Sequence, residues 1–518
     1  MNTKKLSAGA LIEGLSGGWQ SSAALLPEEF LCRWNSLFKC RSWEPCAAEN
    51  SFQFVADLGE IRLKGMSEAV CLLLAGQGAQ AARALDQFSK RAGQPGRVGF
   101  VLTISETAHA SACDLCAGGR FLLLDRKQLE ELLQATDPHL LLKRHLWSQI
   151  PRRRLVPYSI VLPAEGHMFF GRENELARLR DEEGVSFAIA GPGRIGKTSL
   201  LKQHEIQLIR EHDPRVSRKF PISLYGCSHR TADSLARFIA MRIESSKRSD
   251  RVTVDDLMDF LRYQHWKLGG PLQLLLDETD GACGNEAMGV LGDAAKRGFC
   301  RLVLCGRGVL LKTVMTDKPP LGCRLELLRL EPLEDAPARR LLMKPLADLG
   351  VEVERPEAFA SLVLRLTGRM PHLVQFYGEQ LAELAIQANI SAISTRHAEL
   401  VRWDFQTAQF FTSALSEIED PGRRLIALLL LKFGRQDVSI PLVQRLAVEN
   451  GFALGHQEAF ALMNELVIDN VLCWNNGSYR IANESLYEYA NRFRFLDGAL
   501  EEARRAVAAA RTTATVRK

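Results

Sequence analysis

The spacing of apolar residues divides the first third of the chain into short runs with strand or helix periodicity. Between residues 27 and 149, helical patterns at 78–92 and 127–134 lie between or after four apolar runs that predict β-strands. The predicted strands are 59–65, 69–76, 97–105 and 120–125. This alternation predicts a small α/β domain at 27–149, and the small, polar residues 1–26 before it predict a flexible leader.

A second alternation of strands and helices begins near Val185 and predicts a larger α/β core at 168–330. Its predicted strands are 185–190, 220–226, 271–277, 300–305 and 323–330. Between the two α/β regions, residues 150–167 contain three prolines and the basic run Arg152–Arg154. This composition favours a connector with a solvated charged stretch over a nucleic-acid-binding patch.

The pattern after the core is mainly helical. Helical periodicity throughout residues 335–401 predicts a helical lid at 331–405. Residues 406–490 then show three short helical patterns and the segment VLCWNNGSYRI, in which Asn476-Gly477 predicts a tight hairpin turn. Three helices and a hairpin predict a winged helix, and a helical tail rich in alanine and arginine follows at 491–518.

Length and composition exclude several classes of protein. A chain of 518 residues is too long for one hydrophobic core, and its net charge of +5 is small for a dedicated nucleic-acid-binding protein. The sequence contains no apolar run of about 18 residues and no signal-peptide pattern, which predicts no membrane span. Twelve scattered cysteines favour reduced thiols in a cytoplasmic protein. The single pair Cys113 and Cys116 is interpreted as a helical core position.

The clearest chemical signal is a glycine-rich turn between a predicted strand and a predicted helix. The stretch GPGRIGKT matches G-x-x-x-x-G-K-[ST] at every fixed position. Backbone N–H groups of such a turn, with the positive end of the following helix, bind phosphate oxygens. Lys197 is expected to contact the β- and γ-phosphates, and the Thr198 hydroxyl to bind Mg²⁺. The residues predicted to bind ATP or ADP here are Gly191, Pro192, Gly193, Arg194, Ile195, Gly196, Lys197, Thr198 and Ser199.

Acidic residues follow the apolar strand at 272–276. Asp277 is predicted to hold Mg²⁺ through water, and Glu278 to polarise the attacking water, because phosphoryl transfer depends mainly on positioning and charge. Asp280 is interpreted more simply, as a residue that caps the next turn. Arg307, at the end of the next strand, is predicted to lie beside the γ-phosphate, with a surface arginine as the alternative.

The stretch MFFGRENELARL, residues 168–179, precedes the first core strand. With the glycine-rich turn and Asp277-Glu278, it closely resembles the STAND class of signalling ATPases, which are relatives of AAA+ proteins. Phe170, Gly171 and Arg172 lie in the stretch that matches the F-x-G-R-x-x-E-L box of that class, which the resemblance implies surrounds the adenine.

The resemblance covers roughly 168–490 and extends to the lid. Family members carry T-G-G-x-P there, and the resemblance implies that Pro371 lies near the nucleotide. This chain departs from the pattern at Arg369, where the family has a second glycine.

The N-terminal region has a second, weaker resemblance. Residues 97–133 resemble the back half of restriction-endonuclease-like domains of the Mrr type, which hold Mg²⁺ with an Asp and an E/Q-x-K motif on adjacent strands. Asp57 and Glu60 precede Lys64, but the strand VCLLLAGQG that should carry the motif has no lysine. The resemblance therefore favours this fold in an adaptor role, without nuclease activity.

Together these features predict an α/β protein with a P-loop NTPase core, a helical lid and a winged helix, preceded by a separate small α/β domain. The resemblance implies a switch that binds ATP with Mg²⁺ and hydrolyses it slowly, in bacterial defence or regulation. The nucleotide state would set the orientation of the lid and the winged helix. The implied partners are a further protein or further copies of this chain.

Two alternatives remain at this point. The first is an AAA+-type DNA-processing or DNA-loading ATPase whose winged helix contacts DNA. Residues 456–482 weigh against it, because they contain Glu458, Glu465 and Asp469 against Arg480 alone, and DNA affinity depends on Lys and Arg. The second is a nucleotide-stabilised scaffold without turnover.

Overall fold

The structure is a computed structural model, and it describes the chain with gaps. The described residues are 34, 38, 40–45, 51–57, 68–74, 78–92, 99–103, 106–117, 119–182, 184–210, 222–223, 231–244, 249–315, 325–388, 390, 392–403, 415–416, 418, 420–433, 437–475, 478–492 and 495–516. The predicted leader at 1–26 and the predicted strand at 59–65, with Glu60 and Lys64, lie outside them.

The elements follow the predicted alternation. The strands are β1 Cys40–Pro45, β2 Ser51–Asp57, β3 Glu68–Leu74, β4 Gly99–Thr103, β5 Phe121–Leu124, β6 Ser186–Ala190, β7 Ile222–Ser223, β8 Leu272–Asp277, β9 Cys300–Gly306, β10 Leu325–Arg329, β11 Glu352–Val353, β12 Ala392–Ile393, β13 Leu472–Asn475 and β14 Ser478–Ile481. The α-helices are α1 Gly78–Ala92, α2 Glu106–Cys116, α3 Arg126–Gln134, α4 Pro138–Gln149, α5 Arg152–Leu155, α6 Glu173–Asp181, α7 Lys197–Arg210, α8 Ala232–Ile243, α9 Val254–Leu268, α10 Glu286–Lys296, α11 Gly308–Met315, α12 Asp335–Asp348, α13 Pro356–Thr367, α14 Pro371–Gln387, α15 Thr395–Arg402, α16 Pro421–Phe433, α17 Ile440–Glu449, α18 His456–Ile468, α19 Glu484–Arg492 and α20 Phe495–Val516.

The chain divides into two compact units. The first comprises Met1–Tyr158, Met343–Glu352 and Gly378–Ile393. The second comprises Ser159–Leu342, Val353–Tyr377 and Ser394–Lys518, and it contains every residue of the site described below.

The first unit contains a sheet in the order β1-β2-β3-β4-β5. β1, β2 and β3 run antiparallel, whereas β3, β4 and β5 are parallel and are connected through α1 and α2. Parallel neighbours require such crossovers, and the two helices cover the apolar strands with Ala81, Phe88 and Ala108. The predicted strands at 69–76, 97–105 and 120–125 correspond to β3, β4 and β5.

Two features of this unit differ from the sequence prediction. β1 and β2 were not predicted, because their polar and apolar residues mix without a continuous apolar run. Cys113 and Cys116 lie on α2 as free cysteines, but Cys113 is exposed, so only Cys116 contacts the interior. Burial raises the pKa of Cys116 to about 12, so it remains a protonated thiol at neutral pH.

The side chain of Gln149 completes the free edge of β5. Its amide nitrogen donates to the carbonyl oxygen of Leu123 at 2.7 Å, and its oxygen accepts from the Leu123 N–H at 2.8 Å. Gln149 therefore pairs with the last strand as a neighbouring strand would, which protects an edge that would otherwise expose backbone groups.

The second unit is built on a parallel sheet in the order β10-β6-β9-β8-β7. Each of these strands lies within, or overlaps closely with, a strand predicted from the sequence. Because all of them are parallel, the carboxyl ends of β6, β8 and β9 meet at one edge of the sheet, where α/β proteins of this kind bind their ligands. The predicted α/β P-loop fold is confirmed.

The predicted winged helix follows the core in the second unit, whereas the predicted lid is divided, because Met343–Glu352 and Gly378–Ile393 belong to the first unit. The lid contains α12 to α15, and also the short sheet of β11 and β12, which helical periodicity did not predict because each strand has two residues. In the region predicted as a winged helix, α16 to α18 precede the antiparallel hairpin of β13 and β14. The hairpin pairs Asn475 with Ser478, and the predicted turn Asn476-Gly477 lies outside the described residues.

Buried polar contacts join the lid to the helix after the hairpin. Arg402 of α15, whose side chain is 9% exposed, pairs with Glu484 at 3.6 Å and with Glu488. The Tyr377 hydroxyl lies 3.1 Å from the hydroxyl oxygen of Ser485.

In the part of the chain that the structure describes, no helix is long and apolar enough to cross a membrane.

Candidate nucleotide-binding site

The glycine-rich turn connects the buried strand β6 to α7. A Cβ atom at Gly191 would lie 2.9 Å from the carbonyl oxygen of Leu330, so the turn passes closely over the end of β10. Gly196 has φ 102° and Arg194 has φ 63°, both in the region that favours glycine. The sequence therefore folds here into a tight loop that ends at the N-terminus of a helix, which is the geometry of an anion site.

Lys197 and Thr198 occupy the first turn of α7. The Lys197 ammonium donates to the carbonyl oxygens of Gly191 at 2.9 Å and Pro192 at 2.7 Å. Burial, with the nearby positive charge of Arg307, lowers the pKa of Lys197 to about 8. An anion beside this ammonium would stabilise its charged form, because opposite charges favour ionisation.

The structure brings together the two residues predicted to bind Mg²⁺. The Thr198 hydroxyl donates to Oδ2 of Asp277 at 2.7 Å, although the residues lie in different elements. Hydroxyl and carboxylate oxygens are ligands that Mg²⁺ prefers, usually together with substrate phosphates. Among the described residues, no group of three or more His, Cys, Asp or Glu side chains is placed to hold a metal by itself.

Glu278 follows directly after β8 and lines the cavity between the glycine-rich turn and the strand ends. Its N–H donates to Oδ1 of Asp277 at 2.9 Å, and its φ of 54° is unusual for a residue with a side chain. Burial and the neighbouring charge of Asp277 raise the pKa of Glu278. Glu278 is therefore a carboxyl group placed beside the predicted magnesium ligands.

Asp280 has a structural role that links two strand ends. Its Oδ2 accepts from the Arg307 N–H at 2.6 Å, and its Oδ1 accepts from the N–H groups of Val309 at 2.9 Å and Leu310 at 3.1 Å. Asp280 therefore fixes the start of α11, whereas the sequence predicted that it caps the turn directly after it. It also places Arg307 over the glycine-rich turn, because a Cβ at Gly193 would lie 3.3 Å from the Arg307 guanidinium.

The predicted residues surround one cavity of about 940 Å³. Of the residues predicted from the sequence, those that line it are Phe170, Arg172, Gly193, Arg194, Ile195, Gly196, Lys197, Thr198, Ser199, Asp277, Glu278, Arg307 and Pro371. Gly191, Pro192 and Gly171 do not contribute to its wall. Gly171 instead packs closely on the lid, since a Cβ there would lie 2.3 Å from Cβ of Pro337.

Arg172 is held by protein groups. Its guanidinium donates to Oε1 of Glu175 at 2.8 Å and to the carbonyl oxygen of Glu331, and the residue is 7% exposed. Arg172 therefore ties the segment before α6 to the start of the lid, in addition to lining the cavity.

The connector forms a wall of the cavity that the sequence did not predict. Residues 159–164 line it, and two backbone contacts hold them there. The Ala164 N–H donates to the Ser199 hydroxyl at 2.9 Å, and the Ser159 N–H donates to Oε1 of Gln375 at 3.2 Å. The apolar run SIVLP could have indicated this wall, because such a run is unusual in an otherwise basic connector.

The lid contributes Pro371 and His372 at the start of α14. Burial, together with the charge of Arg194, lowers the pKa of His372 to about 3, so its imidazole is neutral at pH 7. The preceding turn is formed by Gly368 at φ 58° and Arg369 at φ 59°. Arg369 therefore takes the left-handed conformation for which the family pattern has glycine, and its carbonyl oxygen accepts from the Leu333 N–H at 3.1 Å.

The winged helix also reaches the cavity. Its lining residues are Asp420, Arg423, Glu465, Ile468 and Asp469. This placement could not be predicted from the sequence, because charged residues near the ends of amphipathic helices usually face solvent. Residues of the predicted connector, core, lid and winged helix therefore all line the cavity.

Known proteins resemble this chain in structure only. No protein-family model matches the sequence, and no curated protein sequence matches it. A Walker-type ATPase of Pyrococcus abyssi is similar with a TM-score of 0.49 and 15% identity, over 64% of this chain and 99% of that one. The Aeropyrum pernix ORC2 protein has a TM-score of 0.45 and 13% identity, over 66% and 97%. The Thermotoga maritima RuvB Holliday junction branch migration motor has a TM-score of 0.36 and 14% identity, over 64% and 99%. Similarities of this size carry no argument about function.

Proposed function

We propose that the protein is an ATPase of the STAND type that binds ATP and ADP with Mg²⁺ and acts as a nucleotide-dependent switch. The contact between Thr198 and Asp277 carries this proposal, because it unites a hydroxyl from the glycine-rich turn with a carboxylate from the neighbouring strand. With Lys197 in the same turn, these groups match the chemistry of a triphosphate bound through Mg²⁺.

The apolar part of the cavity suits a nucleotide base. Phe170 and the connector residues Ile160 and Leu162 line it, and Pro371 with the neutral His372 lies on the lid side. Nucleotide pockets combine such apolar walls with a few polar groups that set orientation. We infer that adenine and ribose lie between the connector and the lid, and that the phosphates lie over the glycine-rich turn.

Hydrolysis requires a group that orients water and a group that stabilises charge on the γ-phosphate. Glu278 supports the first role because it follows Asp277 at the end of β8. Arg307 supports the second because it lies over the glycine-rich turn. Since phosphoryl transfer depends mainly on positioning and electrostatics, we propose slow hydrolysis that resets the switch.

The switching role rests on the composition of the cavity wall. The lid and the winged helix both contribute residues, so their arrangement and the bound nucleotide affect each other. A nucleotide shifts such an equilibrium only by its difference in affinity for the two arrangements.

The DNA-processing alternative is less favoured because α18 has no lysine or arginine. For the N-terminal unit we propose an adaptor role, because β3 has no lysine.

Replacement of Lys197 tests the site directly. Lys197→Ala removes the ammonium beside the phosphates, and we expect it to abolish ATP binding in a calorimetric titration with Mg²⁺. Lys296→Ala, on the exposed side of α10, is the matched control and should bind like the wild type. Equal affinities for the wild type and Lys197→Ala would refute the assignment.

A further inference from the structure

The winged helix presents a compact charged cluster to the cavity. Arg423, on the first turn of α16, contacts Oε2 of Glu465 at 2.9 Å and Oδ2 of Asp469 at 3.1 Å. The three side chains are between 19% and 22% exposed, so water only partly screens their charges. Arg423 therefore fixes two carboxylates of the winged helix at the cavity wall.

A core residue completes the cluster. Lys312 of α11 forms an ion pair with Oε1 of Glu465, so Glu465 connects the winged helix to the core. The helix that carries Lys312 begins directly after Arg307, and Asp280 fixes that start. One short helix therefore joins the arginine over the glycine-rich turn to the lysine that holds the winged helix.

Charged side chains of three segments act on Asp469. Arg423 faces it from α16, Glu465 from α18, and Arg307 and Lys312 from the core segment at 307–312. Burial and Glu465 raise the pKa of Asp469 to about 6, and the three cations oppose this rise. The carboxylates and a bound triphosphate would therefore compete for the same cations.

We propose that Glu465 and Asp469 form a carboxylate latch that holds the winged helix on the core through Lys312 and opposes binding of a nucleoside triphosphate. This inference rests on the proposed function and names its regulation. A γ-phosphate near Arg307 repels the two carboxylates and attracts Lys312, which weakens the Lys312–Glu465 pair. Because such coupling is reciprocal, breaking the latch strengthens triphosphate binding, and triphosphate binding loosens the winged helix.

The first experiment measures affinity in the full-length protein. Wild type and the double variant Glu465→Gln/Asp469→Asn are titrated with a non-hydrolysable ATP analogue and with ADP, both with Mg²⁺. We expect the double variant to bind the analogue about tenfold more tightly, with a smaller gain for ADP, because two partly buried charges near the γ-phosphate are removed. Glu449→Gln, on an exposed position of α17, is the matched control and should bind like the wild type.

The second experiment follows the winged helix itself. Hydrogen–deuterium exchange of α18 is compared in the wild type, with and without the analogue, and in Lys312→Met, which breaks the latch but retains Arg423, Glu465 and Asp469. We expect faster exchange of α18 in Lys312→Met, similar to that of the analogue-bound wild type. This variant does not disturb the carboxylates, so it also tests the latch if the double variant folds poorly.

The outcomes separate the latch from the proposed function. If the wild type binds the analogue but the double variant has the same affinity, or α18 exchanges equally in Lys312→Met, the latch is wrong and the nucleotide site stands. If the wild type binds neither nucleotide, the proposed function is wrong, and the latch with it.

Discussion

Backbone conformation at single residues shows where the site imposes a geometry that residue type alone does not favour. Arg194, Glu278 and Arg369 have φ values of 63°, 54° and 59°. Each such conformation costs on the order of 1 kcal/mol or more, so it persists only where the surroundings determine it. The STAND-class pattern that this stretch resembles has glycine where this chain has Arg369, yet Arg369 takes the left-handed conformation that this turn requires.

Glu278→Gln separates binding from hydrolysis at the level of one residue. The amide has nearly the same shape but cannot accept a proton, so we expect ATP affinity within about threefold of the wild type and a rate of hydrolysis lower by about a hundredfold. Steady-state phosphate release and a binding titration measure the two quantities. Measurable turnover in the wild type that this change leaves unaltered would remove Glu278 from the mechanism, and no turnover in either protein would support the scaffold alternative.

His204 on α7 makes the stability of the second unit depend on pH. It is fully buried, and neither ring nitrogen has a hydrogen-bond partner in the structure. Burial, with the charge of Arg301, lowers its pKa to about 4 from an unfolded value of 6.5. The unfolded state therefore binds more protons, and stability falls as the pH drops from 6.5 towards 4.

We expect His204 to lower the free energy of unfolding by about 2 kcal/mol between pH 7 and pH 5. Urea unfolding at both pH values measures it, and His204→Leu should remove most of this difference. A pH dependence that is identical in the variant would show that other groups cause it.

At the scale of elements, the sequence predicted the helices and strands that have a continuous apolar pattern. The core strands β6, β8 and β9 are apolar runs buried almost completely, and the glycine-rich turn follows β6, so both features could be predicted from the residues. β1 and β2 could not, because mixed strands carry a weak pattern. The connector wall at 159–164 and the winged-helix charges at the cavity were also missed, because tertiary contacts and not local patterns place them there.

Gln149 provides a test of how a side chain stabilises an element. Gln149→Ala removes both hydrogen bonds to Leu123, a residue that is 7% exposed. Leaving these backbone groups without partners should destabilise the first unit by about 1–3 kcal/mol. Thermal unfolding measures the change, and Gln134→Ala, on an exposed position of α3, is the control. Equal midpoints for the two variants would show that water replaces the amide without cost.

For the whole molecule, the main consequence is that one cavity draws on segments far apart in the sequence. The connector, the glycine-rich turn, the start of α14 and the ends of α16 and α18 all contribute to its wall. A nucleotide bound in this cavity would contact parts that belong to different predicted domains, which is the physical requirement for the proposed switch.

Because the connector forms part of the cavity wall, the point at which the chain is truncated should affect nucleotide binding. A fragment that starts at 168, where the sequence predicts the core to begin, lacks Ile160 and Leu162, whereas one that starts at 150 retains them. We expect the shorter fragment to bind ATP at least about tenfold more weakly in the same titration. Full-length Val161→Ser/Leu162→Ser, at positions 84% and 64% exposed, should weaken binding without unfolding the chain. If both changes leave the affinity for ATP intact, residues 150–167 only connect the two predicted domains; otherwise, a cut that separates the predicted domains at 168 also removes part of the nucleotide site.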